Sequence, residues 1–100
     1  MPALAEALRR DAAALLEAYR AGTWAPAPEE HEFAEDLARG AWGALFFRAA
    51  LREVPATVRY GRLADVLALA AEVFDQAHAD VGEDTVLQLR ALVDALTAYP

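Results

Sequence analysis

Between Glu35 and Val54 the chain reads EDLARGAWGALFFRAALREV, its most apolar run, and that run cannot carry one straight apolar stripe. At about 100° per residue, Ala34, Leu37, Ala38, Ala41 and Leu45 line up on one side of a helix. Phe47, Ala50, Leu51 and Val54 lie nearly opposite Leu45, and Arg48 and Arg52 take the side of the first stripe. Gly40 and Gly43 stand where the face turns. Either the helix breaks or kinks there and the chain closes on itself, or one continuous helix is contacted on all sides. A four-helix monomer has difficulty covering both faces of a continuous helix, so that case sets Phe46, Phe47 and Leu51 against a second chain.

The rest of the chain reads as helices packed around this run. Met1–Gly22 is amphipathic through Leu4, Ala5, Leu8, Ala12, Leu15, Leu16 and Tyr19, with Pro2 suited to a first turn and Gly22 to a C-terminal stop. The segment GTWAPAP, Gly22–Pro28, is a short linker in which two prolines hold the backbone extended. Trp24 within it either covers one end of the core or anchors a partner. The second helix starts near Pro28–Glu30, where Glu29, Glu30 and Glu32 meet the positive end of the helix dipole. Pro55 disfavours helical geometry at Val54, and Thr57 is a plausible N-cap for a third helix. That helix carries Leu63, Val66, Leu67, Ala70, Val73, Phe74 and Ala77 on one face and becomes regular near Arg62. Thr85 and Gln88 form a capping pair before a last stripe of Val86, Leu89, Leu92, Val93, Leu96 and Tyr99. The expected fold is a single all-α domain over residues 1–100, an antiparallel up-and-down four-helix bundle, or five helices if the second breaks near Gly40–Gly43.

Charge and composition narrow the function more by exclusion than by motif. The net charge is −7, which disfavours a nucleic-acid binder, because phosphate affinity rests on clustered cations. No apolar run reaches the ~20 residues of a membrane span, and nothing near Met1 reads as a signal peptide. Without Cys there is no disulfide framework and no thiolate site, so a reducing cytoplasmic setting is expected. The chain also lacks Ser, which with the missing Cys removes the commonest nucleophile triads. All nine basic residues are Arg, a bias in line with a GC-rich genome.

In an up-and-down bundle the order of helices sorts charge by end. One end then gathers Glu17, Glu29, Glu30, Glu32, Glu35, Asp36, Asp75, Asp80, Glu83 and Asp84 with both histidines, and the other gathers Arg9, Arg10, Arg48, Arg52, Arg59 and Arg62. Facing carboxylates and histidines in a bundle can hold a divalent metal, and His31, Glu35, Asp75 and His78 are the candidate ligands. They only approximate the Glu-x-x-His pattern of such sites. Arg48, Arg52, Arg59 and Arg62, with Tyr60, could hold an anion or an acidic partner, since guanidinium forks match carboxylate and phosphate.

The segment Val58–Ala70, VRYGRLADVLALA, resembles the turn and helix of alkyltransferase-like DNA-binding proteins over those residues alone. The reactive Cys motif of that family is absent, and the resemblance implies no function here. The sequence therefore leads to a small non-catalytic helical protein that acts by protein–protein association, foremost as a homodimer or else with another protein. Its candidate interface is Trp24, Trp42, Phe46, Phe47, Ala50 and Leu51, and no cofactor is expected. A metal- or small-ligand-binding bundle using the acidic end is the alternative, and an acidic regulator covering a basic surface on a partner is a third reading.

Overall fold

The computed structural model describes residues 3–40, 42–55, 61–77 and 81–97, and these contain helices and no strands. Five helices follow in order: α1 (Ala3–Ala21), α2 (Pro28–Arg39), α3 (Ala44–Glu53), α4 (Arg62–Ala77) and α5 (Glu83–Thr97). The apolar run of the sequence is thus two helices, and the break alternative is the one the chain adopts. Thr57, Arg59, Tyr60, His78, Asp80 and Tyr99, as well as Ala41, lie outside the described residues.

Contacts on either side of the break hold it, and both described glycines in it are extended. Gly40 leaves α2 in an extended conformation (φ −81°, ψ 160°), and its N–H donates to Leu37 O at 3.3 Å. The Trp42 indole Nε1–H donates to the same carbonyl at 2.6 Å, closing the open end of α2. Gly43, also extended, precedes α3, and Phe47 N–H donates to its carbonyl at 3.1 Å. Any residue can adopt the φ of Gly40. A Cβ there would run into the Phe46 ring, so any other residue requires that ring to shift.

Turning the chain at this point lets both apolar stripes face one core. Ala34 and Leu37 of α2 and Phe47 of α3 are fully buried together with Leu8, Leu15, Leu67, Leu89, Leu92 and Leu96. Each such Leu or Phe contributes about 1.5–3 kcal/mol relative to exposure. Phe47 sits at the centre of an aromatic group, with ring centroids 5.6 Å from Trp42, 5.5 Å from Phe46 and 5.4 Å from Phe74. Leu45, expected on the first stripe, is not buried. It is 80% exposed, because the stripe that predicted its burial ends with α2 at Arg39.

Local stop and start signals explain most other boundaries. Gly22 has φ +77°, Thr23 N–H donates to Ala18 O and Gly22 N–H to Tyr19 O, which is the Schellman closure of α1. Ala27 N–H donates to Glu30 Oε1 at 2.7 Å, half of a capping box at the start of α2. Val54 is extended before Pro55, as steric restriction by proline requires. The Thr85–Gln88 pair is not a cap. Gly82 (φ +98°) turns the chain, α5 begins at Glu83, and Thr85 is buried within its first turn.

The principal packing pairs are α1 with α5, α1 with α4, α2 with α5 and α3 with α4. Only the last joins helices adjacent in sequence, so the packing does not follow the simple up-and-down order. The charge sorting by ends falls with it. His31, at the start of α2, donates its Nδ1–H to Leu96 O at 2.8 Å, near the close of α5, about 20 Å of helix from Glu83 and Asp84. Arg48 pairs at 3.2 Å with Asp75, a residue assigned to the opposite end.

Candidate protein interface

Of the expected metal ligands, the three among the described residues, His31, Glu35 and Asp75, each have a different partner. His31 is buried on the Leu96 carbonyl, Glu35 is exposed and pairs with Arg39 at 3.5 Å one turn along α2, and Asp75 is held by Arg48. Among the described residues no three His, Asp or Glu side chains converge on a position that could hold a metal ion. His78 lies outside them. Of the arginines, Arg48 and Arg52 stand one turn apart on α3, Arg62 is on α4, and Arg59 lies outside the described residues. Arg48 lies by the end of α4, whereas Arg62 opens α4 about 20 Å away and lines a shallow cleft with Asp11 and Asp65. Arg52 is exposed on α3.

Four of the candidate interface residues cluster on α3, and Trp42 joins them, but their exposure differs. Phe47 is wholly inside its own chain, while Trp42, Phe46, Ala50 and Leu51 are half-buried and pack against the core. Trp24 is half-buried against the core at the end of α1, edge-on to Tyr19 at 6.2 Å. A cleft between α2 and α3, floored by Phe33, Leu37, Phe46 and Ala50, continues into a second opening rimmed by Glu29, Glu32, Asp36 and Glu53. Among the described residues none of those four carboxylates has an ion-pair partner.

Another exposed apolar feature lies where α4 ends and α5 begins. Phe74, Val81, Val86 and Leu87 line an open groove of about 540 Å³, with Glu83 and Arg90 at its edges. Leu87 is 57% exposed. The Arg90 guanidinium lies 4.6 Å from the centroid of the Trp42 ring, a cation–π contact that links α5 to the α2–α3 corner. Sequence reading passed over Leu87. The signal was present, since on the α5 wheel it stands about opposite the buried row Leu89, Leu92 and Leu96, an apolar residue on the solvent face.

No protein-family model, no curated protein and no solved structure matches this chain. Among the described residues no helix is long and apolar enough to cross a membrane.

Proposed function

We propose that this is a non-catalytic helical protein that works by association with another protein chain, in the first place with a second copy of itself. The observation that carries the reading is the groove at the α4–α5 corner. There an exposed Leu stands on the outer face of a helix whose opposite face already fills the core. The absence of Ser and Cys supports the non-catalytic part. The continuous helix that first suggested a homodimer is not the basis of this proposal, because Phe47 is satisfied within its own chain. Sedimentation equilibrium from about 10 µM to about 1 mM tests it, that range being suited to an interface at the small end of the specific size classes. Mass rising with concentration toward twice 10.8 kDa is the expected result. A single species of 10.8 kDa throughout would remove the homodimer.

A further inference from the structure

The outer face of α5 is complementary to itself when turned end for end. Glu83 and Arg90 are seven residues apart, two helical turns, so they stand on one face about 10 Å from each other along the axis. The point midway between them falls between Val86 and Leu87. A two-fold axis placed there sets Glu83 of each chain opposite Arg90 of the other, and Val86 of each opposite the other's Leu87. Both charged groups are exposed and available: Arg90 is steadied from behind by the Trp42 ring, and no ion pair involves Glu83 among the described residues.

We infer that two copies associate through antiparallel α5 helices in this register, with Leu87 of each entering the groove floored by the other's Phe74 and Val81 and two reciprocal Glu83–Arg90 pairs at the rim. This rests on the self-association proposed above and adds the surface and the register. An isologous contact of this kind uses one patch twice, so one apolar residue near the axis and one pair of opposite charges equidistant from it suffice to define it. The charges fix orientation: parallel α5 helices in register would set Glu83 against Glu83 and Arg90 against Arg90.

Charge reversal tests the register separately from the association. Glu83→Arg alone places Arg opposite Arg at both rim positions, and Arg90→Glu alone places Glu opposite Glu. Each variant is expected to dimerise about tenfold more weakly than the native chain, since two rim pairs change from attraction to repulsion. An equimolar mixture restores complementarity at both positions and is expected to form the heterodimer with native-like affinity. The doubly swapped chain, Glu83→Arg with Arg90→Glu, is expected to recover its own dimer. Circular dichroism melts of each variant establish that the helices remain folded. A native dimer that neither single reversal weakens, or a mixture that fails to recover, overturns the register and leaves the homodimer standing. A native chain that stays monomeric up to about 1 mM overturns both.

Discussion

Replacing Gly40 by Ala distinguishes the broken helix from a continuous one by the sign of its effect. In an uninterrupted helix, Gly→Ala at an interior position stabilises by about 1 kcal/mol, because glycine loses more backbone entropy on folding. In the five-helix chain the added Cβ is directed into the Phe46 ring, which is held against Phe47. Overpacking of this kind costs about 1–3 kcal/mol. At roughly 4–8 °C per kcal/mol for a domain of this size, Tm falls by about 5–20 °C. Gly43→Ala is the internal control. A Cβ there meets nothing within 4 Å, so the change stays within about 0.5 kcal/mol. The assay is urea or thermal unfolding followed by circular dichroism, with Phe46→Ala completing a double-mutant cycle. Removing the ring relieves the collision, so Gly40→Ala costs at least about 0.5–1 kcal/mol less in the Phe46→Ala background. A rise in Tm for Gly40→Ala, or equal costs in both backgrounds, would refute the corner as described.

His31→Ala removes the donor to Leu96 O in a buried setting and should lower stability by about 1–3 kcal/mol in the same unfolding assay, whereas Glu35→Ala, on the exposed side of α2, should stay within about 0.5 kcal/mol. Arg48→Ala breaks an ion pair whose side chains are about half exposed, so its cost should remain below about 1 kcal/mol and shrink in high salt. Manganese, iron or zinc added to tag-free protein should leave Tm unchanged, because His31 and Asp75 are already engaged with different partners. A saturable upward shift, abolished by His31→Ala, would revive the metal reading.

Much of the fold is legible wherever helical periodicity and burial coincide. The stripes through Leu8 and Leu15, Leu63 to Val73, and Leu89 to Leu96 are the buried faces of α1, α4 and α5. The rotation of the apolar face at Gly40–Gly43 exposes the alternatives without deciding between them. The decision comes from Trp42 reaching back to Leu37 O and from Phe46 lying over Gly40, contacts that depend on the turn having formed. Leu45 was misplaced by extending a stripe beyond its helix, and Thr85 by a local capping pattern that Gly82 overrides three residues earlier. The sorting of charges by end failed for a topological reason. It assumed that each helix packs beside its successor, whereas α2 packs on α5 and brings His31 to Leu96. Leu87 is legible as an apolar residue on the polar face of α5, a weaker signal than the aromatic run of α3.

The most direct measurement of where the chain associates exploits its lack of cysteine. With helix axes about 8–10 Å apart and Cα atoms about 2.3 Å off axis, residues beside the two-fold axis come within the roughly 4.4–6.8 Å Cα separation that a disulfide spans. Leu87→Cys and Leu45→Cys are compared under the same mild oxidation, Leu45 being the more exposed of the two leucines. An interface on α5 predicts rapid covalent dimer for Leu87→Cys and slow collisional cross-linking for Leu45→Cys. Equal rates, or faster cross-linking through Leu45, would contradict it.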